Sequence, residues 1–347
     1  MKSTRILPMY LVLLGAITFF SSCNDDKNLT ISTVTTESVY TITVNEATCR
    51  GFVDRTAVEQ FTNCGICWST NANPTISDSS SMIDTSLEEF TCTMHGLISA
   101  TPYYVRAFAT VGSEKVEYGN VLTFRTPKIP DFGMVTIQGG TYLMGGLIGD
   151  ISPKHSVTLS TFQMGATEIT QETWKAIMGH NPSTFDGNDF PVETVNMADI
   201  QSFIQKLNLV SGKTYRLPTE AEWEFAAAGG LDTMTNWAGT NQADSVGNYI
   251  WSSGNSISQT HRVASKKPNT LGLYDMCGNV WEWCSDWYGV YSNAAQINPT
   301  GLSTGYLKVI RGGSWSHDIS FCNVLNRNSN YPEDRKCTTG FRLVLAP

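Results

Sequence analysis

The sequence has little positive charge. Its 23 Lys and Arg residues are outnumbered by 31 Asp and Glu residues, so the net charge is −8 at pH 7. A protein that neutralises a phosphate backbone needs a basic surface, and we therefore expect no nucleic-acid partner. Apolar residues are not scarce: 41% of the 347 residues are hydrophobic, which indicates globular domains with cores of their own.

An apolar run long enough for a comfortable membrane span is also missing. Leu11–Phe20 is shorter than the roughly 20 residues that a transmembrane helix needs. It follows the basic residues Lys2 and Arg5 and precedes Phe20-Ser21-Ser22-Cys23, which resembles a lipobox. We expect residues 1–22 to be a lipoprotein signal peptide and Cys23 to carry the lipid. An ordinary signal peptide cleaved nearby and an uncleaved anchor are the alternatives.

Residues 23–28 form a polar tether behind this cysteine. The segment Asn24-Asp25-Asp26-Lys27 resembles signals that send lipoproteins to the cell surface. Each buried methylene of an acyl chain contributes about 0.8 kcal/mol, so several chains on Cys23 would hold the mature protein firmly. The sequence thus predicts a lipid-anchored protein of the outer membrane that is displayed on the cell surface, with the membrane as a partner.

Eight further cysteines follow Cys23, and export would allow them to form disulfides. Cys64-Gly65-Ile66-Cys67 has the spacing of a redox motif, but it lies in a β-type run and no helix follows to lower a thiol pKa. We interpret both cysteines as core or strand residues. Cys49 and Cys92 are expected in neighbouring strands, and the sequence leaves their pairing open.

Residues 29–126 alternate apolar and polar residues between regularly spaced turns, which predicts an immunoglobulin-like or fibronectin type III-like β-sandwich. Leu97 followed by Thr101–Ala107 resembles a tyrosine corner, in which the Tyr103 ring packs in the core and its hydroxyl fixes the preceding loop. We expect a spacer module, with adhesion as the alternative. The predicted strands are Val39–Val44, Thr48–Val53, Cys64–Ser69, Glu89–Met94, Tyr103–Thr110 and Val121–Arg125.

Residues 127–131 contain two prolines and are expected to form an extended linker. Beyond the linker, residues 132–347 predict an α+β domain with much ordered loop. Met134–Met144 and Ser156–Met164 are predicted strands, and Thr170–Met178 and Met197–Val210 are predicted helices. A third helix is expected to begin at a Thr219–Glu222 capping box and to end at Gly229-Gly230.

A series of motifs follows one another in this second domain. They are Glu168-Ile169-Thr170, Phe190-Pro191-Val192, Arg216-Leu217-Pro218-Thr219-Glu220-Ala221-Glu222-Trp223-Glu224, Gly272-Leu273-Tyr274-Asp275-Met276, Gly278-Asn279-Val280-Trp281-Glu282-Trp283, Arg311-Gly312-Gly313-Ser314-Trp315 and Gly340-Phe341-Arg342. Their identity and order resemble the formylglycine-generating enzymes of the sulfatase-modifying factor family. The resemblance covers residues 132–347 and implies a variant of the C-type lectin fold, a scaffold that carries unrelated functions.

In that family, two cysteines near the C-terminus hold a copper ion, and their soft thiolates suit Cu(I). The corresponding positions here are His317 and Cys322. Because one thiolate is missing, we expect no copper and no formylglycine-generating activity. His317 and Cys322 remain candidates for a thiolate–imidazole pair in an enzyme of different chemistry. Related non-haem iron enzymes use a histidine cluster, whereas the histidines here are scattered: His95, His155, His180, His261 and His317.

The resemblance also implies a structural calcium ion. Asp275 and Glu282, with the backbone carbonyls of Gly278 and Val280, align with the calcium loop of the family. Carboxylate and carbonyl oxygens are the hard ligands that Ca²⁺ prefers. The alternative is a metal-free loop held by hydrogen bonds.

Residues 316–339 contain positions that look fixed in the family. Other positions form a second set, and the codon of each residue in this set can be reached from the asparagine codon AAC by changing only adenines. Glu333 and Lys336 are not reachable in this way. The pattern resembles the variable region of proteins diversified by retroelements, although the family's C-terminal loop is often rich in asparagine without one. The second set is the predicted ligand-binding face, beside Trp281, Trp287 and Trp315. Its members are Ser316, His317, Asp318, Ser320, Phe321, Asn323, Asn328, Ser329, Asn330, Tyr331, Asp334, Cys337, Thr338 and Thr339.

Short polar groups and aromatic rings are typical of adaptable binding surfaces. The sequence therefore favours a surface protein that binds an unknown protein or glycan through residues 316–339. One alternative is an enzyme of the family with altered chemistry. Another is a structural subunit of an outer-membrane assembly, since relatives of this fold serve in gliding and secretion machinery.

Overall fold

The computed structural model describes residues 34–54, 61–83, 88–111, 115–231 and 235–345. Cys23, the predicted signal peptide and the predicted tether lie outside these ranges. Within them, no helix combines the length and the apolar composition that a membrane span requires.

The N-terminal part of the described chain forms two β-sheets around one core. Its strands are β1 (Val34–Tyr40), β2 (Glu46–Val53), β3 (Phe61–Ser69), β4 (Ser79–Ile83), β5 (Glu89–His95), β6 (Pro102–Val111), β7 (Lys115–Tyr118) and β8 (Leu122–Arg125). One sheet has the order β1-β2-β5, the other has the order β4-β3-β6-β7, and β8 pairs with β6. The core draws Cys49 and Met94 from the first sheet and Ile66 and Val105 from the second.

The first strand differs from its prediction. The pattern predicted a strand over Val39–Val44, but β1 ends at Tyr40 because Thr41 is left-handed, with φ of 49°. Val44 packs instead with the C-terminal domain, where its amide donates to the carbonyl of Ala176 at 2.9 Å. The sequence also does not predict β4 and β7, since these edge strands lack a clear alternation of apolar and polar residues.

The cysteines of this part lie in strands. Cys64 and Cys67 are buried in β3, which confirms their interpretation as core residues. Cys49 and Cys92 face each other across β2 and β5 without a disulfide bond. Burial raises the pKa of Cys67 to about 11, so its thiol is protonated at neutral pH.

Tyr103 fixes the loop before β6. Its ring is buried and stacks on Phe124, with ring centroids 5.7 Å apart. Its hydroxyl accepts a hydrogen bond from the amide of Ile98 at 2.9 Å. The hydroxyl of Thr126 donates to the carbonyl of the same Ile98. The backbone amide and the backbone carbonyl of Ile98 are therefore both held. The arrangement is the one predicted for a tyrosine corner.

The described residues of the C-terminal domain form three small sheets. Its strands are β9 (Met134–Ile137), β10 (Gly140–Met144), β11 (His155–Leu159), β12 (Phe162–Gly165), β13 (Tyr215–Arg216), β14 (Trp281–Trp287), β15 (Gln296–Ile297), β16 (Lys308–Arg311), β17 (Arg327–Asn330), β18 (Thr339–Gly340) and β19 (Val344–Leu345). The sheet orders are β10-β11-β15, β13-β19-β12-β9 and β17-β16-β14-β18. Two long predicted strands were wrong, because each is split between two sheets.

Gly139 lies at the first of these splits. A Cβ at this position would lie 2.2 Å from the carbonyl oxygen of Leu159, so only glycine allows the chain to turn there. As a result β9 pairs with β12, whereas β10 pairs with β11. Both predicted strands thus break at a turn, which the hydrophobic pattern alone did not reveal.

The helices follow their predictions closely. They are α1 (Gln171–Met178), α2 (Met197–Ser211) and α3 (Glu220–Ala227). The Thr219–Glu222 capping box is present, with the Thr219 hydroxyl accepting from the amide of Glu222 and the Glu222 carboxylate accepting from the amide of Thr219. All eight residues of α3 are buried, which makes this helix the centre of the domain.

Candidate functional site

The segment after β16 approaches the core very closely. Gly312 and Gly313 are both left-handed, and a Cβ on Gly313 would lie 2.6 Å from the sulfur of Cys322. Residues 314–326 then run as turns and loops, before β17 forms the edge of a sheet. Glycine is required at 313 because the backbone and a buried sulfur share this space.

His317 and Cys322 do not form the predicted thiolate–imidazole pair. The sulfur of Cys322 points at backbone carbonyls, 3.6 Å from that of Ser314 and 3.9 Å from that of His317. The Nδ1 of His317 instead bonds the hydroxyl oxygens of Ser314, at 2.7 Å, and Ser316, at 3.0 Å. Burial raises the pKa of Cys322 to about 12 and lowers that of His317, so both groups are neutral near pH 7.

The His317 ring is part of a small aromatic group. Its centroid lies 5.4 Å from that of Trp281 and 5.9 Å from that of Phe321, in edge-on contacts. Trp281 is buried below it, while Phe321 is exposed above it. The position that carries a metal-binding thiolate in the resembled enzymes is therefore occupied by a packed, neutral imidazole.

Most of the predicted ligand-binding residues are accessible. Partly buried members are His317, Asn323, Ser329, Asp334, Cys337 and Thr338. Exposed members are Ser316, Asp318, Ser320, Phe321, Asn328 and Tyr331. Phe321 and Tyr331 expose about half of their surface, 50% and 54%, so two aromatic rings are available for contact on this face.

Asn330 and Thr339 do not belong to the accessible set. They are 4% and 1% exposed, and the Asn330 side-chain amide donates to the Thr339 hydroxyl. Lys336 donates from Nζ to the Asn330 side-chain oxygen at 2.6 Å. These residues connect β17 to the segment before β18, and this structure does not expose Asn330 or Thr339 to a ligand.

The tryptophans expected beside this face have different locations. Trp281 is buried, and Trp287 carries the Lys308 ammonium over its ring and lines a separate cavity. Only Trp315 joins the face, where its ring nitrogen donates to the carbonyl of Cys337. Phe185 contacts Trp315 edge-on at 5.3 Å, a neighbour that no sequence pattern indicated.

Buried ion pairs support the face from below. Arg311 donates to Glu224, and Arg327 binds both carboxylate oxygens of Glu220 at 2.7 and 2.8 Å. All four side chains are less than 5% exposed. Arg311 lies at the end of β16, Arg327 at the start of β17, and both acids in α3. Residues 312–326 are thus a loop held at both ends by charge pairs to one central helix.

In the predicted calcium loop, the two carboxylates have different surroundings. Both oxygens of Glu282 are engaged by Arg342, at 2.6 and 2.7 Å, and one also accepts from the Trp223 ring nitrogen. Asp275 keeps one buried oxygen, Oδ1, without a hydrogen-bond partner. The described residues contain no group of three or more His, Cys, Asp or Glu side chains arranged to hold a metal.

Glu168 is a buried carboxyl beside this loop to which the sequence assigned no role. It accepts from the side chain of Asn279 and from the amide of Val280. Burial, followed by the nearby carboxylates of Asp275 and Glu282, raises the pKa of Glu168 well above its ordinary value. Asp275 fits a cation, but Glu282 would have to leave Arg342 first. Calcium at this loop stays a prediction.

Comparison with known proteins identifies the domain. Residues 122–347 match the Sulfatase-modifying factor enzyme 1-like domain. This chain belongs to the sulfatase-modifying factor family. Its C-terminal domain therefore has the formylglycine-generating-enzyme variant of the C-type lectin fold, as the motifs predicted.

Several proteins of known sequence or structure are similar to this chain. The formylglycine-generating enzyme of Thermomonospora curvata is 36% identical over 193 residues, which is 50% of this chain and 61% of that enzyme. The structure of Treponema denticola variable protein 1 aligns with a TM-score of 0.59 and 33% identity, covering 69% of this chain and 98% of that protein. PvdO from Pseudomonas aeruginosa aligns with a TM-score of 0.56 and 26% identity, covering 62% and 94%.

Proposed function

We propose that this protein is a lipid-anchored surface protein that binds a ligand through the exposed face of a non-catalytic sulfatase-modifying factor domain. The observation that carries the proposal is the contrast within residues 316–339. Exposed polar and aromatic side chains lie on and next to the loop of residues 312–326, whose two ends are fixed by buried Arg–Glu pairs. A surface of this kind can change its side chains without changing its backbone.

The chemistry at positions 317 and 322 supports a binding role over an oxidase role. A copper site of the family's kind needs two deprotonated sulfurs. Here one position is an imidazole held by two serine hydroxyls, and the other is a protonated thiol packed under Gly313. Neither group is placed to activate the other.

The likeness to Treponema denticola variable protein 1 supports a finer proposal. We infer that the accessible AAC-derived residues of 316–339 are targets of adenine-specific diversification by a retroelement. Burial restricts the set, because Asn330 and Thr339 hold β17 in place. Sequencing the native locus tests this: a reverse-transcriptase gene and a near-copy of the 3′ end, differing almost only at adenines, must lie close by.

The remaining parts complete a display protein. The two N-terminal sheets with their tyrosine corner support a fibronectin type III-like spacer over residues 29–126. A lipid on Cys23 would anchor it in the outer membrane.

We also propose a structural calcium ion, bound by Asp275, Gly278, Val280 and Glu282. Millimolar calcium should then raise the melting temperature, and Asp275→Asn should remove that increase.

A binding experiment tests the face itself. The purified protein is applied to a glycan array and to a panel of immobilised outer-membrane proteins, and the Phe321→Ser, Tyr331→Ser double variant is compared with it. The matched control is Tyr306→Ser, since Tyr306 is 88% exposed and lies outside the face. We expect the double variant to lose at least ten-fold in affinity and the control to lose none. Equal binding by all three proteins would exclude the face.

A further inference from the structure

The cavity that Trp287 lines is separate from the face of residues 316–339. It has a volume of about 470 Å³ and is bounded by the start of α3, the end of β14, β11 and the loop of residues 289–302. This volume is within the range of small-molecule sites in proteins. Its walls combine a buried acidic group with apolar side chains at the rim. Two lining residues, Glu220 and Arg327, also form a pair that supports the face, and the proposed function uses none of the others.

Asp286 is the buried acidic group. It is 5% exposed, and its Oδ2 accepts from the amide of Glu220 and from the hydroxyl of Ser285, both at 3.0 Å. Among the described residues, both hydrogen bonds of Asp286 go to Oδ2, none reaches Oδ1, and Asp286 forms no ion pair. Gly301 lies directly beside Oδ1, and a Cβ there would come within 2.9 Å of it. The glycine therefore leaves this oxygen uncovered toward the cavity.

The cations around the cavity are already paired. Arg327 binds Glu220 through two nitrogens and the carbonyl of Gly289 through a third. Lys308 donates to the carbonyl of Ser285 and lies over the Trp287 ring. An anionic ligand would therefore meet the Asp286 carboxylate without a cation to receive it. A cationic ligand would meet an acceptor oxygen that lacks a partner.

The rim has the complementary apolar character. Val290, Ile297 and Leu302 line the cavity and are 87%, 78% and 50% exposed. Such exposure of three large aliphatic residues around one opening marks a contact surface. An aliphatic chain that ends in a charged group buries its stem on apolar surface and keeps its head at a polar site.

We propose that this cavity binds a primary ammonium group on an aliphatic stem, with Asp286 Oδ1 as the acceptor and the residues 290–302 as the wall for the stem. A small free amine and the lysine side chain of a peptide share this chemistry. The site is independent of the proposed binding face, so each stands or falls by its own experiment.

The affinity of this cavity for an ammonium group should increase with pH. Burial, followed by the charge of Glu220, raises the pKa of Asp286 to about 7. Glu222 acts in the same direction, while Lys308 and Arg216 approach from other elements with the opposite charge. An aliphatic ammonium group stays protonated up to about pH 10. Its affinity should thus increase about ten-fold between pH 6 and pH 8, as the Asp286 carboxyl ionises.

The test is titration of the purified protein with n-pentylamine, monitored by ligand-observed NMR. We expect 1-pentanol, which has the same stem without charge, to bind at least ten-fold more weakly. Asp286→Asn should weaken pentylamine binding at least ten-fold and flatten the pH dependence. Asp244→Asn removes an exposed carboxylate elsewhere and should change nothing. Ile297→Ser should weaken the binding of pentylamine but not that of methylamine.

Two further arms make the result decisive. His155 also lines the cavity, so the His155→Gln variant is a further control and should keep the pH dependence of the wild type. The peptide acetyl-Gly-Lys-Gly-amide distinguishes a lysine side chain from a free amine, because only the smaller probe enters if the opening excludes a backbone. Should pentanol bind as well as pentylamine, or the affinity of wild type fail to rise with pH, the proposal is overturned even if Asp286→Asn does not fold.

Discussion

At the scale of single residues, we expect the largest losses of stability from changes in the buried charge pairs. Arg311 is fully buried, and Glu224 neutralises it and also accepts from the amide of Gly145. Removing one partner of such a pair leaves the other charge in a medium that solvates it poorly. The unpaired buried charge then lowers the free energy of unfolding by more than the pair itself contributed.

We therefore expect Glu224→Gln to lower the free energy of unfolding by about 3 kcal/mol. The matched control is Asp189→Asn, which makes the same change of carboxylate to amide in the exposed pair with Arg262. The control should cost no more than about 0.5 kcal/mol, since solvent screens exposed pairs. Urea denaturation monitored by circular dichroism measures both. Similar losses in the two variants would contradict the framework role of the Arg311–Glu224 pair.

Cys322 offers a second prediction at this scale. Burial raises the pKa of its thiol to about 12, and thiolates rather than thiols react with alkylating agents. In the folded protein at pH 8, iodoacetamide should modify the half-buried Cys337 at least ten-fold faster than Cys322, as quantified by peptide mass spectrometry. In urea the two rates should converge. Rapid labelling of Cys322 in the folded state would restore the enzyme hypothesis, which requires a reactive thiolate.

At the scale of elements, two helices end in comparable glycines with different surroundings. Gly179 ends α1 and Gly212 ends α2, both in the left-handed region. A Cβ on Gly212 would meet no atom within 4 Å, whereas a Cβ on Gly179 would lie 2.7 Å from the Thr41 side chain. The difference between the two sites is therefore the contact of α1 with the N-terminal sheets.

We expect Gly212→Ala to cost about 1 kcal/mol, the general cost of a left-handed alanine. Gly179→Ala should cost at least about 1 kcal/mol more, since overpacking adds to the backbone strain. Thr41→Ser removes the methyl group that clashes, so it should recover the excess in the Gly179→Ala background. Thermal unfolding of these three variants and the wild type gives the comparison. If the two alanine variants are equally stable, Thr41 does not press on α1.

The same scale shows what the sequence could predict. Capping chemistry is local, so the start of α3 after Thr219 followed from residues a few positions apart, and periodicity placed α1 and α2. The splitting of Met134–Met144 was not predictable, because Gly139 is required by the carbonyl of Leu159, twenty positions later in the chain. Similarly, the spacing of His317 and Cys322 suggested a pair, but side-chain direction depends on the turn that Gly313 permits.

The candidate face shows the same limit in another form. Whether a codon can be reached from AAC tells how the residue could arise by mutation. It does not tell whether the side chain is buried. Asn328 and Asn330 are equivalent by that criterion and lie two positions apart in β17, yet only Asn328 is exposed. Phe185 was missed for the opposite reason, since its contact with Trp315 joins loops that are distant in sequence.

At the scale of the whole molecule, these two asparagines test whether a fixed framework carries a replaceable surface. Tyrosine is reachable from asparagine by one adenine change, so Asn328→Tyr and Asn330→Tyr are equivalent in the genetic pattern. We expect Asn328→Tyr to change the free energy of unfolding by no more than about 0.5 kcal/mol. Asn330→Tyr should cost more than about 2 kcal/mol, because a ring must enter space filled by Lys336 and Thr339.

Denaturation midpoints of the two proteins, with circular dichroism to confirm the fold, decide between the alternatives. Equal tolerance at both positions would mean that residues 316–339 are a loosely held loop, and the argument for a rigid display scaffold would fail. Tolerance confined to Asn328 would mean that the charge pairs of α3 and the β17–Thr339 contact set the boundary of the variable surface. In that case diversification can explore only the accessible side chains, whatever codons the template supplies.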